Sequence, residues 1–330
     1  MLSAKRGELL RAVFEHPFDH TTCFLCAEPL TAEGRTEEHV IPKWVQQKYD
    51  LCNESLGLLN GTSIQYRQLT IPCCRQCNNE RLSRLESVVE AAVSSGYDAV
   101  VALPRFVLFQ WLAKIFVGLL YKDLLLPFDR SDRSAGNIVG AETLKRFSIM
   151  HLWIQVAKPP FEEGNENEYC PGSVFIFRTQ KPDNHKGQFD LVDMTLANSL
   201  AIRLGDVGLV ADFLENGVHA RIAGDSFRPY QGFPLHPRQF RELAARIFYG
   251  ASLIDMQTDV KFSSTSDGLE IAFLWQPKEN SSPREWKNEE YAHVLANVMG
   301  FSEDEKVFEP TKGIWTCLHN KDGSIRKLSL

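Results

Sequence analysis

Apolar residues recur at helical spacing in three places within the first 130 positions. Leu9, Leu10, Val13 and Phe14 predict a short amphipathic helix over Ser3–Phe14. Leu82, Leu85, Val89 and Val93, at i, i+3, i+7 and i+11, predict a helix that stops at Ser95 and Gly96. The apolar run from Phe106 to Leu126, with Pro104 in its first turn, predicts a more deeply buried helix bridging two domains. Gln110, Lys114, Lys122 and Asp123 interrupt that run, at a cost a bilayer would impose and a protein core can satisfy, so no membrane span is expected. Between Cys23 and Asn78 long periodic stretches are missing and turn residues are frequent, the pattern of a small fold organised around metal.

After a polar loop at Asp129–Asn137, strand-like runs follow: IMHLWIQVA from Ile149, SVFIFRTQ from Ser173, FDLVDM from Phe189, then SLAIRL, VGLVADFL, and LEIAFLW from Leu269. Helices are expected over His236–Leu253 and Glu289–Met299, and a terminal hairpin over Trp315–Leu328 turning at Asp322-Gly323. Strands grouped with flanking helices predict an α+β class. The expected layout is a small zinc-stabilised domain over residues 1–103 followed by a mixed α+β domain over 104–330.

Composition supports two packed cores. The chain has 330 residues, 44% of them hydrophobic and 24% charged. Its formal charge of -6 excludes a protein that coats nucleic acid by bulk attraction. A local basic island remains: Lys43, Lys48, Arg67, Arg75, Arg81 and Arg84 against Asp50, Glu54 and Glu80. The N-terminus lacks an uninterrupted apolar stretch and a small-residue cleavage site, so a cytoplasmic location is expected. In that compartment the eight cysteines stay reduced, and clustered thiols then point to metal rather than disulfides.

Cys23-Phe-Leu-Cys26 and Cys74-Arg-Gln-Cys77 are two C-x2-C knuckles, each able to offer two thiolates to one tetrahedral ion. Cys73 is an alternative to Cys74 with a less usual spacing; Cys52, Cys170 and Cys317 read as plain thiols. The 47 residues between Cys26 and Cys74 exceed a compact zinc ribbon and contain Glu37-Glu38-His39-Val40-Ile41-Pro42, a carboxylate beside an imidazole at the end of a strand. Asn78-Asn79-Glu80 follows the second knuckle at a helix start, where Asn78 could equally serve as a cap.

With EHVIPKW and CRQCNN, the segment Cys23–Leu85 resembles the HNH, or ββα-metal, nuclease superfamily. That resemblance implies a DNA endonuclease with structural Zn²⁺ on Cys23, Cys26, Cys74 and Cys77. His39 would be the general base, and Glu38 with Asn78 would hold a catalytic Mg²⁺ or Mn²⁺. Many members have histidine at the place of Asn78, and oxygen-only ligation favours hard cations. A central asparagine should orient the base; Asn60 is the first choice and Gln68 the second, through its amide oxygen. Lys43, Arg75, Arg81 and Arg84 are the expected contacts to DNA phosphates, although Lys43 and Trp44 could also close the small core. The C-terminal domain shows no catalytic constellation and is expected to serve regulation, target recognition, homodimerisation or a protein partner. By analogy with bacterial two-domain nucleases, anti-phage defence or restriction is its expected setting. Two rival readings remain: a non-catalytic zinc module that binds nucleic acid or protein, and an RNase using the same site.

Overall fold

A computed structural model describes residues 12, 15–156, 170–254, 256–264, 269–277, 284–302, 307–311 and 313–330. The chain forms two compact units. Unit 1 comprises Met1–Ser94, Leu103–Tyr169 and Ser264–Leu269, and unit 2 comprises Ser95–Ala102, Cys170–Ser263 and Glu270–Leu330. The boundary is therefore not at 103/104: the long apolar helix after Pro104 belongs to unit 1 rather than bridging two domains. The helix expected over Ser3–Phe14 lies almost wholly outside the described residues.

In chain order the elements begin with β1 (Arg35–His39), α1 (Lys43–Lys48), β2 (Ser55–Gly57), β3 (Ser63–Gln65) and β4 (Thr70–Cys74). A π-helical turn at Cys77–Leu82 runs directly into α2 (Ser83–Ser95), which ends at Gly96 with φ at +97°. α3 (Tyr97–Val101) belongs to unit 2. α4 (Arg105–Leu124), α5 (Ala141–Lys145) and α6 (Ser148–Gln155) complete unit 1. β5 (Ser173–Arg178), β6 (Phe189–Met194), β7 (Ser199–Leu204) and β8 (Val207–Asp212) precede α7 (Val218–Gln231) and α8 (Pro237–Ser252). Then come β9 (Met256–Ser264), β10 (Leu269–Pro277), α9 (Asn288–Met299) and the two-residue strands β11 (Phe308–Glu309) and β12 (Gly313–Ile314).

Unit 1 is organised around an antiparallel ribbon in which β1 pairs with β4, Arg35 opposite Cys74 and His39 opposite Thr70. β2 and β3 form a separate hairpin. Helix α4 covers the ribbon because most of its circumference is apolar; Trp111, Ile115 and Phe116 are fully buried. Its face at 114, 118 and 122 meets the ribbon. A Cβ at Gly118 would stand 3.1 Å from Val40 Cγ1, Lys122 donates to the Thr70 carbonyl at 2.9 Å, and Lys114 donates to the carbonyls of His39 and Val40. The strand expected from Ile149 is instead helix α6. Its polar residues His151 and Gln155 are buried together with Met150, Leu152, Trp153 and Ile154, so in so short a run a buried helix and a buried strand read alike. Packing against α4 decides it.

Unit 2 is an antiparallel sheet in the order β5-β8-β7-β6, with every residue of β7 and β8 buried. Phe175, Phe177, Ala201 and Val210 meet Phe240, Leu243, Ala244, Ile247 and Phe248 of α8 in the core. Gly208 admits the Phe240 ring, since a Cβ there would lie 2.5 Å from it. α8 begins with a capping box in which His236 Nδ1 accepts from the Arg238 backbone and Gln239 returns a bond to the His236 backbone. The Asp322-Gly323 turn forms as expected, closed by Asn320 N–H to the Ser324 carbonyl, but it joins a single bridge between His319 and Ile325 rather than two long strands.

Candidate metal centre and surrounding site

Cys23, Cys26, Cys74 and Cys77 place their sulfurs within 4.8 Å of one another, an arrangement that can hold one metal ion such as zinc. The first knuckle closes with Ala27 N–H on the Cys23 carbonyl at 3.0 Å and Cys23 N–H on the Glu28 carbonyl at 2.9 Å; Ala27 takes a left-handed conformation to make that turn. Phe24 N–H reaches the Pro72 carbonyl at 2.9 Å and ties the knuckle to β4. The second knuckle leaves the end of β4, with Arg75 N–H on the Gly34 carbonyl and Cys77 N–H on Cys74 Sγ at 3.4 Å. The four sulfurs sit close enough to shift one another's thiols in opposite directions. Burial raises the Cys23 thiol, but hydrogen bonds from the other cysteines more than reverse this and hold it well below its ordinary value. The Cys77 thiol is pushed up, first by its bond to Cys23. A cation at the centre removes this conflict by favouring thiolate at all four.

Cys73, the alternative ligand, lies outside the cluster. It is fully buried, and burial and a hydrogen bond with Cys23, 3.8 Å away, push its thiol well above the ordinary range. Arg81 belongs to this centre: it donates to Cys77 Sγ at 3.4 Å and to Gln155 Oε1 at 2.8 Å. Its guanidinium, expected at DNA phosphate, is here engaged with Cys77 and Gln155. Gln155 in turn donates to the carbonyls of Leu25 and His151.

Period-2 alternation along β1 separates the two residues that sequence alone places side by side. Glu38 points into the interior, where its carboxylate pairs with the ammonium of Lys114. Lys114 is fully enclosed and also reaches Glu86 at 2.9 Å. Burial alone would lower its pKa, but Glu38 and Glu86 overcome that and raise it. The carboxylate expected to hold a catalytic Mg²⁺ or Mn²⁺ thus already serves a buried cation. The residues present do not fit that ion as expected, and no chemical step is assigned to it.

His39, half-buried at the end of β1, faces the other way. Its Nδ1 lies 3.2 Å from Gln46 Nε2. The same Gln46 nitrogen donates to the Ile41 carbonyl at 2.7 Å, which fixes the amide orientation and turns its second N–H toward the imidazole. The neutral ring then carries its proton on Nε2 and accepts at Nδ1. Burial, followed by the charges of Lys43 and Lys114, lowers the His39 pKa below its ordinary value.

Gln46 is thus the residue that orients His39, in place of either Asn60 or Gln68. Asn60 sits in the β2–β3 turn, accepting from Thr62 at 3.1 and 2.7 Å and donating to the carbonyls of Pro127 and Phe128. Gln68 is exposed and makes no bond to His39. The signal for Gln46 was its position seven residues beyond His39, on a short helix that Pro42 forces to start at Lys43. Asn78 lies in the π-helical turn and donates to Thr36 Oγ1 at 3.0 Å and to the Glu37 carbonyl at 3.3 Å, so it tethers the helix start to β1. Lys43, Arg75 and Arg84 are exposed; Arg75 also donates to the Glu33 carbonyl at 3.2 Å.

Compared with known proteins, the chain matches no family model, no curated protein and no solved structure. Among the described residues, no helix is long and apolar enough to cross a membrane.

Proposed function

We propose that unit 1 is a zinc-clasped endonuclease module of HNH type that hydrolyses phosphodiester bonds in DNA. One observation carries this reading: a cluster of four cysteines joins an antiparallel strand pair to the following helix, leaving an oriented imidazole, its pKa lowered by burial and nearby lysines, at the strand end beside Lys43. Zinc on the four cysteines holds the two knuckles together and takes no part in bond cleavage. His39 accepts a proton at Nδ1 from a water that displaces the Gln46 amide; the resulting hydroxide attacks phosphorus, the P–O bond to the sugar breaks, and the departing sugar oxygen takes its proton from solvent. Lys43, Arg75 and Arg84 supply positive charge for the phosphate backbone. The basic face acts locally in a chain of net charge -6. A role in defence against foreign DNA accords with such an activity.

The Glu38–Lys114 pair favours a second reading, a non-catalytic zinc module that binds nucleic acid, because it withdraws the carboxylate on which HNH metal binding would depend. Nicking of supercoiled plasmid by wild type and His39→Ala, with Mg²⁺, with Mn²⁺ and with neither, separates the readings. Cutting by wild type that His39→Ala abolishes supports the nuclease. Equal DNA binding by both without cutting supports the second reading, and cleavage confined to an RNA competitor assigns the site to RNA.

A further inference from the structure

Unit 2 carries an open cavity of about 530 Å³ between α7, α8 and the segment leading into α9. That volume is in the range of small-molecule sites. Phe227, Trp286 and Tyr291 give it an aromatic wall and Ile222 and Leu253 an aliphatic one, while Arg246, Arg284 and His219 bring positive or proton-donating groups. Among the described residues that line it there is no aspartate or glutamate.

The wall has more donors than acceptors. Arg246 Nη2 meets Glu242 at 3.0 Å, but Glu242 is shared with the Thr316 hydroxyl and the Cys317 and Leu318 backbone N–H groups. Arg246 Nε is left buried without an acceptor. Tyr291 is 2% exposed, and its hydroxyl lies beside Arg246, near enough for each to affect the other's ionisation. Arg284 donates to the Ser252 carbonyl, which satisfies a donor without neutralising the charge. Behind this wall Asp212 accepts from His219 Nδ1 at 2.5 Å and from the Ser199 hydroxyl at 2.7 Å, so the imidazole is held with Nε2 directed away from the carboxylate. Nε2 lies against Gly250, where a Cβ would stand only 2.7 Å away; α8 carries glycine at the point where the ring reaches the cavity wall.

The part-exposed Arg246 side chain and the exposed Arg284 face the cleft with no carboxylate among its described lining residues. An apolar ring alone would leave that charge unmet, and a cation would oppose the arginines. We propose that this cavity binds a small aromatic molecule bearing one acid group, a carboxylate or a phosphate monoester, with the acid on Arg246 and Arg284 and the ring against Phe227 and Trp286. The site stands independently of the nuclease reading of unit 1.

Isothermal titration of the full chain with indole-3-carboxylate and with AMP tests it, each paired with its uncharged counterpart, indole and adenosine. The expected result is saturable one-to-one binding of at least one acid, with its counterpart at least about tenfold weaker. Which acid binds distinguishes a carboxylate from a phosphate ligand. Arg284→Ala, at an exposed position, should weaken the acid about tenfold. Ala223→Trp should abolish binding by filling the space, its fold checked by thermal melting. His39→Ala should leave binding unchanged. The proposal is overturned if neither acid saturates at millimolar concentration, if an uncharged counterpart binds as tightly, or if Arg284→Ala binds like wild type.

Discussion

Replacing Lys114 by methionine would test the interior of unit 1 most directly. The ammonium has four oxygen partners: the Glu38 carboxylate, Glu86 Oε1 at 2.9 Å, and the carbonyls of His39 at 2.5 Å and Val40 at 3.2 Å. Methionine fills similar volume but leaves Glu38, whose side chain is 7% exposed, without a counter-ion. Breaking a buried pair from one side costs about 3–5 kcal/mol, a large fraction of the roughly 5–15 kcal/mol by which domains are stable. The loss should depend on pH. Burial already raises Glu86, and without Lys114 it rises further. A carboxyl raised in the folded state binds more protons folded than unfolded, so stability is retained below its unfolded pKa and lost as pH rises through the folded one. Urea denaturation of Lys114→Met followed by circular dichroism should therefore show a smaller deficit at pH 5 than at pH 7.5. Adding Glu38→Gln and Glu86→Gln should recover part of it at pH 7.5. A deficit below about 1 kcal/mol, or one that does not shrink on acidification, would refute the buried-cation account.

Metal analysis of purified protein should find one ion per chain on the four cysteines, and Cys26→Ser or Cys77→Ser should lower that occupancy and the melting temperature of unit 1 together; full occupancy in either variant would refute the ligand set. Imidazole NMR should show His39 as the Nε2–H tautomer with a titration midpoint below 6.5, and Gln46→Leu should raise that midpoint by removing the donor that favours the neutral ring; an Nδ1–H tautomer would contradict the amide orientation. In unit 2, burial and then Asp212 raise Glu215 to about 7, and Asp212 raises His219 against its burial. Both groups bind protons more tightly folded, so stability is present at low pH and falls as pH rises: from the ordinary glutamate value to about 7 for Glu215, and above 6.5 for His219. Thermal melts should lose roughly 3 kcal/mol across the Glu215 window, and Glu215→Gln should flatten that part; a melting temperature that climbs between pH 5 and pH 8 would refute the assignment.

Much of the fold was legible because its elements carry one unambiguous period. The helix from Leu82 to Ser95 has a single apolar stripe and a glycine stop, and both survive in the structure. The four sheet strands of unit 2 fall where the β-branched and aromatic runs stand. α6 was misread because Ile149–Gln155 is short and mostly apolar, with its polar His151 and Gln155 buried as well, and α7 escaped notice because its small and polar residues leave only His219, Phe227 and Tyr230 buried. The two knuckles were legible since two cysteines at C-x2-C spacing make a local turn, and a metal site needs two such turns to converge. The domain boundary was not legible, because the affinity of α4 for the β1–β4 ribbon rests on long-range matches, Gly118 on Val40 and Lys114 on two carbonyls, that no local window contains.

The same reasoning explains why adjacency misled at Glu38-His39. Neighbours on a strand share a peptide bond but face opposite sides, so a carboxylate next to an imidazole is the arrangement least able to place both on one substrate unless the strand ends or twists between them. Here β1 continues through both residues, sending Glu38 to Lys114 and His39 to Gln46. On the His39 face stands Glu37, exposed and bound to Arg35 at 3.0 Å, and Asn78 grips the backbone of Glu37. Loss of activity in Glu38→Ala would consequently say little about metal ligation, since it strands a buried ammonium; His39→Ala removes a half-buried ring from the rim and is the cleaner probe of chemistry. Should both variants lose cutting while only Glu38→Ala loses stability, the division of labour along β1 is as the alternation requires.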